Sequence, residues 1–126
     1  MDTARKLTVN EKALAVNLDP HVYGSFSEIG AGQEVAANFF QAGGASGTIA
    51  LTQSAYDKKI SNAIYGEGKR FVSKQRLVRM MEHDYANITD KLSDRKDDTC
   101  FFAFADTIET LNFHKTNQGP IGRAHV

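Results

Sequence analysis

The spacing of apolar and polar positions predicts an α/β chain in which helices and strands alternate. A capping box opens a short helix predicted over residues 9–17. β-Forming residues predict a first strand over 22–29, and an apolar helical stripe over 35–40 predicts a helix after it. A second strand is predicted over residues 47–52. Strand, helix and strand within about thirty residues have the length of a βαβ unit.

The second half of the chain is less regular at its start. The polar, glycine-punctuated segment 57–72 predicts a hairpin that pairs residues 63–65 with 70–72, or alternatively a mobile loop. A long helix then begins after the N-cap Ser73. Its predicted apolar face consists of Leu77, Met80, Met81, Tyr85, Ile88 and Leu92.

A final strand is predicted over residues 99–105, where apolar side chains are nearly continuous, as in a strand buried on both faces of a parallel sheet. The strand is expected to stop at Asp106, followed by a helical turn or two before residue 113. Cys100 is expected to be a small core residue. The pattern therefore predicts one α/β domain over residues 1–115, a small three-layer Rossmann-like fold with a mostly parallel sheet. Residues 116–126 are predicted to form an irregular C-terminal tail.

Length and charge narrow the class of protein. A chain of 126 residues with a formal net charge of zero corresponds to one domain. A nucleic-acid-binding domain is usually basic, so we expect no nucleic-acid partner. The sequence contains no run of about 18 apolar residues and no signal-peptide core, so we expect no membrane partner. With a single cysteine as well, we expect a cytoplasmic protein.

The candidate chemistry centres on the turn between the first strand and the following helix. Gly30 and Gly32 permit close approach of a ligand to the backbone, and the helix that begins near Gln33 offers N–H groups. Glu28, Asp57 and Asp106 are expected to follow parallel strands, whose carboxyl ends meet at one edge of the sheet. These six residues are the predicted cofactor-binding set. The ligand expected there is a nucleotide or another adenosine-containing cofactor, such as S-adenosylmethionine, whose methyltransferases the Glu-Ile-Gly-Ala-Gly pattern resembles.

Other interpretations of the same residues stay open. The glycine turn is also a common structural connection between a strand and a helix. The cations Lys58, Lys59, Lys69 and Arg70 form either a phosphate-closing lid or a solvated loop. The three carboxylates are ligands of the type that Mg²⁺ prefers, although we predict no metal site. His83 is interpreted as a solvated helix residue.

Five segments carry a resemblance to a known family: Asn17–Pro20, Tyr23–Ala36, Ser54–Asp57, Ala63–Gly66 and Phe101–Thr107. The chain resembles the N-terminal portion of an uncharacterised bacterial family of longer proteins. Members often carry automatic labels such as nicotinate-nucleotide adenylyltransferase or TonB-dependent receptor. The adenylyltransferases use a phosphate-binding motif that ends in Gly-His after the first strand, and this sequence lacks it. The resemblance implies that a C-terminal part of the family's proteins is missing here.

Two hypotheses for function follow from the sequence. The first is a Rossmann-like module that binds a small nucleotide-like ligand at the glycine turn, with any catalytic residues and any reaction unknown. The second is a non-catalytic assembly module that forms a homodimer or larger homo-oligomer. Its interface is expected to include exposed parts of the Phe39 and Phe40 stripe or of the long helix.

Overall fold

The computed structural model describes residues 6–68, 70, 72–114 and, as backbone only, 123–125. Four α-helices and four strands are defined in these residues: α1 (Val9–Asn17), β1 (Val22–Gly30), α2 (Val35–Ala42), β2 (Ile49–Gln53), α3 (Lys58–Tyr65), α4 (Lys74–Lys91), β3 (Cys100–Ile108) and β4 (Arg123–His125). Short 3₁₀ turns cover Ala45–Gly47 and Ser93–Arg95. The predicted α/β class is confirmed.

The strands form one sheet in the order β2-β1-β3-β4, with β1 and β3 as its interior strands. β1 pairs in parallel with both β2 and β3, whereas β4 pairs antiparallel with β3. The register places Ser27 opposite Gln53 of β2 and Ala105 of β3, and it places Glu28 opposite Asp106. The carboxyl ends of the three parallel strands therefore lie at one edge, as the sequence predicted.

Helices cover both faces of the sheet and give a three-layer arrangement. Phe26 of β1 packs against Phe39 of α2, with 5.1 Å between ring centroids. The adjacent Ser27 points to the opposite face, where it contacts α3 and α4. The main apolar cluster lies on that second face and consists of Ile29, Ala55, Tyr65, Leu77, Met80 and Ala105. The fold is thus a small Rossmann-like domain.

The predicted hairpin in segment 57–72 is wrong, because residues 58–65 form α3. The Asp57 side chain caps this helix by accepting hydrogen bonds from the backbone N–H groups of Lys59 and Ile60. Gly66, with φ of +93°, ends it. The helix buries Ser61 and Tyr65, one turn apart, and Tyr65 reaches Ser27 of β1.

The long helix begins after Ser73 as predicted, but its buried face differs from the predicted one. Tyr85 is 47% exposed, whereas Arg76 and Asp84 are each 1% exposed. The reason is geometrical: residues 76, 80, 84 and 88 lie on one stripe of α4, and this stripe faces the sheet.

The last parallel strand also departs from its predicted form. β3 continues through Asp106 to Ile108, so no helical turn starts at 107. Cys100 is exposed because it lies at the strand's first position, beyond the helical cover, where its N–H donates to the His21 carbonyl. Of the predicted irregular tail, Arg123–His125 form β4, and residues 116–122 and 126 lie outside the described part of the chain.

Candidate functional site

The glycine turn is closed by contacts from its own chain. The buried Glu28 carboxylate accepts hydrogen bonds from the N–H groups of Val35 at 2.9 Å and Ala36 at 3.1 Å. These N–H groups belong to the first turn of α2, the part expected to receive a ligand anion. Because the Glu28 carboxylate occupies them, a phosphate approaching the same N–H groups would meet a negative charge.

The two glycines serve the packing of this turn against β3. Gly30 has φ of +83°, and a Cβ at this position would lie 1.9 Å from the carbonyl oxygen of Ile108. A Cβ at Gly32 would lie 2.3 Å from the Ile108 side chain and 2.8 Å from Asp106 Oδ1. The close backbone approach that suggested a ligand is therefore made by β3.

The remaining members of the predicted set are divided between two places. Gln33 Nε2 donates to the Glu28 carbonyl at 2.6 Å and to Ser54 Oγ at 3.0 Å, which holds the turn against the end of β2. Asp106, 1% exposed, lies beside Glu28 in register. Asp57 is exposed and its carboxylate is used as the cap of α3. The structure brings together Glu28, Gly30, Gly32 and Asp106, with Gln33 beside them, and their cofactor-binding role stays a prediction.

A different site lies at the N-terminal end of α4. A cavity of about 450 Å³ is lined by Glu67, Gly68, Arg70, Ser73, Gln75, Arg76 and Arg79. We call it the arginine pocket. Three guanidinium groups and one carboxylate give its described lining a formal charge of about +2, although the whole chain is formally neutral.

The cations of the arginine pocket are held in place by the surrounding structure. Arg76 is almost fully buried, and its Nη2 donates to Asn62 Oδ1 of α3 at 2.9 Å. Arg79 Nη1 donates to the carbonyl oxygen of Glu67. Burial, and then the neighbouring Arg79 guanidinium, lower the pKa of Arg76. An anion bound beside the exposed Arg79 guanidinium would offset this mutual repulsion, and Arg remains charged at physiological pH.

A chain of polar side chains crosses from the sheet to α4, close to the arginine pocket. Ser27 Oγ donates to Asp84 Oδ2, and it lies 3.0 Å from the Tyr65 hydroxyl. Since Ser27 has a single hydroxyl hydrogen, Tyr65 must donate to Ser27, and Tyr65 in turn accepts from Gln53 Nε2 at 3.2 Å. We call this series, Gln53 to Tyr65 to Ser27 to Asp84, the polar chain. Its hydrogen bonds all point toward the Asp84 carboxylate.

The polar chain ends at His83, whose Nδ1 lies 3.1 Å from Asp84 Oδ1. An ionised carboxylate only accepts, so Nδ1 donates and Nε2 is the nitrogen left for other partners. The His83 side chain is 44% exposed. Tyr65 packs its ring edge-to-face against the imidazole, with centroids 5.3 Å apart. Burial, with a smaller effect from the Asp84 charge, raises the pKa of Tyr65 to about 12, so the phenol stays protonated as a donor.

The sequence interpretation missed the pocket and the polar chain except for Arg70, which it placed among the lid cations. One signal was present. Met80 and Ile88 lie on the apolar stripe of α4, and Asp84 falls between them at four-residue spacing, where a surface charge is not expected. Within the described residues, no group of three or more His, Cys, Asp or Glu side chains could hold a metal ion. Likewise, none of the helices described combines the length and apolar character needed to cross a membrane.

Comparison of the chain with models of protein families, with curated proteins and with solved structures finds no match. The family resemblance described from the sequence therefore stays a prediction.

Proposed function

We propose that this domain binds a small phosphate-bearing molecule in the arginine pocket. The observation that carries the proposal is the almost fully buried guanidinium of Arg76, held beside Arg79 in the wall of an open cavity. Burial of a cation costs desolvation free energy, and buried cations are nevertheless common in pockets that bind anions. The predicted nucleotide-like ligand is retained, but its phosphate is assigned to the arginine pocket instead of the glycine turn.

The geometry of α4 favours an anion at the same place. Ser73 is the N-cap of this 18-residue helix and lines the pocket, so the positive end of the helix dipole adds to the guanidinium charges. Guanidinium groups form paired hydrogen bonds with phosphate oxygens and suit this ligand better than ammonium groups do. A phosphate group is small relative to the cavity, so the rest of the ligand also has room.

The test is calorimetric titration with inorganic phosphate, AMP and adenosine. We expect phosphate and AMP to bind and adenosine to bind much more weakly, because the phosphate supplies the charge-assisted contacts. Removal of one such contact costs about 1.5–3 kcal/mol. Arg79→Ala should therefore weaken phosphate binding by about tenfold or more.

The matched control is Lys91→Ala, which removes one exposed cation from the other end of the same helix. Lys91 lies 15 residues from Arg76, about 22 Å along the helix axis. Its loss should leave phosphate affinity nearly unchanged. Equal weakening by Lys91→Ala and Arg79→Ala would indicate unspecific charge attraction, and absence of phosphate binding to the wild-type protein would refute the proposal.

The assembly hypothesis is kept as a second candidate because of one surface. A hollow of about 290 Å³ between α1 and α2 is lined mainly by apolar side chains, including Val9, Val16 and Phe39. Phe40 and Val9 are 56% and 61% exposed. Sedimentation velocity over a hundredfold concentration range tests this candidate: a Phe40→Ser variant should weaken any self-association that the wild-type protein shows.

A further inference from the structure

We propose that His83 is a general acid that protonates the leaving group of a phosphate monoester bound in the arginine pocket. This inference rests on the proposed function and adds an activity to it. It follows from the fixed orientation of the imidazole, the direction of the polar chain and the position of His83 relative to Arg79.

The first observation is the buried carboxylate that orients the imidazole. Asp84 occupies a position on the sheet-facing stripe of α4 where an apolar side chain would pack more favourably. Its two oxygens are used separately, Oδ2 by the Ser27 hydroxyl and Oδ1 by His83 Nδ1. This contact holds a proton on Nδ1 and leaves Nε2 as the nitrogen that exchanges a proton with a bound molecule.

The second observation is the exposure of that second nitrogen. The imidazole is nearly half exposed, and among the described residues no hydrogen bond is made by Nε2. Among the described residues, the imidazole contacts Asp84 on its own helix and the protonated Tyr65 of α3, and the cation Arg79 lies one turn earlier on α4. Nε2 is thus positioned to give a proton to a molecule outside the domain core.

The third observation connects His83 to the pocket. Arg79 and His83 are four residues apart on α4, so their Cβ atoms are about 6 Å apart on one face. The segment after α3 follows the same direction: Tyr65 contacts the His83 ring, and Glu67 accepts the hydrogen bond from Arg79. In this proposal, the ester oxygen of a phosphate bound at Arg79 lies on the side of the pocket nearest His83.

Hydrolysis of the phosphate monoester needs no co-reactant other than water. A water oxygen bonds to phosphorus, the bond from phosphorus to the ester oxygen breaks, and that oxygen takes the Nε2 proton and leaves as an alcohol. A proton from the attacking water restores His83, and inorganic phosphate remains. The arginines stabilise the charge on the phosphoryl oxygens. Because the transition state of monoesters is loose, protonation of a poor leaving group is the step at which an acid helps most.

The test compares two substrates that differ in their need for an acid. Phenol is a poor leaving group and p-nitrophenol is a good one, so phenyl phosphate needs protonation and p-nitrophenyl phosphate hardly does. His83→Asn keeps an amide donor toward Asp84 and removes the acidic nitrogen. We expect it to lower kcat/KM for phenyl phosphate by about 100-fold, and for p-nitrophenyl phosphate by less than about 10-fold.

Asp84→Asn provides the readout for a positioning residue. Loss of the carboxylate removes the acceptor that orients the imidazole, so Asp84→Asn should lower kcat/KM for phenyl phosphate more than for p-nitrophenyl phosphate, and rates equal to those of the wild-type protein would argue against this role. His83→Gln serves as a second variant, and circular dichroism establishes that all variants fold. Lys91→Ala should leave both rates unchanged.

The outcomes separate the two proposals. Equal losses on both substrates in His83→Asn would mean a structural role for His83 and overturn the inference. Phosphate binding without hydrolysis of either ester by the wild-type protein would also overturn it and leave the proposed function intact. Absence of phosphate binding in the calorimetric titration would remove the proposed function and this inference together.

Discussion

Replacement of Asn17 should lower the stability of the fold more than the loss of one polar side chain usually does, because the Asn17 side chain joins three elements. Asn17 is the last residue of α1 and is 5% exposed. Its Nδ2 donates to the carbonyl oxygens of Phe39 at 2.9 Å and Gly43 at 2.8 Å, at the C-terminal end of α2. Its Oδ1 accepts from the hydroxyl of the fully buried Thr48, just before β2.

The expected magnitude follows from these three hydrogen bonds. Each contributes about 1 kcal/mol, and partners left unsatisfied inside the protein raise the cost, so Asn17→Ala should lower the free energy of unfolding by about 3 kcal/mol. With a urea m-value of about 1.5 kcal/mol/M, the midpoint should fall by about 2 M at unchanged m. Urea unfolding followed by circular dichroism measures both quantities.

Asn17→Asp gives this prediction a pH signature. The carboxylate would face two carbonyl oxygens in a nearly closed site, so at neutral pH this variant should be less stable than Asn17→Ala. Protonation restores a donor, so the folded-state pKa of the new carboxyl lies above its unfolded value of about 3.9. The deficit is therefore complete above the folded-state pKa and shrinks as pH falls through it.

The control for this series is Asn38→Ala, which removes an exposed hydrogen bond to the Glu34 carbonyl and should cost less than about 0.5 kcal/mol. The reasoning is refuted if Asn17→Ala unfolds within about 0.5 kcal/mol of the wild-type protein. It is also refuted if Asn17→Asp gains no stability, relative to Asn17→Ala, on acidification.

Two further predictions concern the turn and the polar chain. Gly30→Ala should cost more than about 3 kcal/mol in urea unfolding, because the new Cβ would collide with the Ile108 carbonyl. At Gly43, with φ of +90°, an added Cβ has no atom of the described residues within 4 Å, so Gly43→Ala should cost only about 1–2 kcal/mol of backbone strain, and equal costs would contradict the steric argument. Because the folded-state pKa of Tyr65 is raised to about 12, its contribution to stability is complete below the unfolded value of about 10 and is lost as pH rises through 12. The melting temperature of the wild-type protein should therefore fall relative to that of Tyr65→Phe as pH rises from about 10 to about 12. Parallel falls in the two proteins would contradict this expectation.

The elements that were predicted correctly have patterns that depend on neighbours in sequence. The capping box of α1 is present as expected, with Thr8 and Glu11 bonded reciprocally. The parallel strands and α4 also follow their local periodicity. The hairpin prediction at α3 is wrong for a local reason: the sequence pattern places Asp57 beside a ligand, whereas its side chain caps the helix. With that cap recognised, Ile60 and Ile64 at four-residue spacing would have indicated a helix.

The pocket and the polar chain were harder to predict because they depend on which way α4 faces. Arg76 and Asp84 are charged residues in a long helix, and such residues are usually solvated. Only the packing of α4 against β1 places Asp84 on Ser27, a pair separated by 57 positions in the chain. For Glu28 the position at the sheet edge was predicted but the role was not. Its carboxylate caps α2, and this role depends on where that helix begins.

The charged residues on the inner stripe of α4 also determine where this helix can dock. Apolar side chains such as Met80 and Ile88 can replace one another against a smooth surface, so an apolar stripe alone tolerates sliding. A shift of α4 by one turn, about 5.4 Å, would bring Met80 or Ile88 opposite Ser27 and leave the Asp84 carboxylate buried among apolar side chains without its Ser27 partner. We therefore expect α4 to pack on the sheet in a single register. The contact between Asp84 and Ser27 then also fixes the position of Arg76, which lies two turns away and takes no part in that contact.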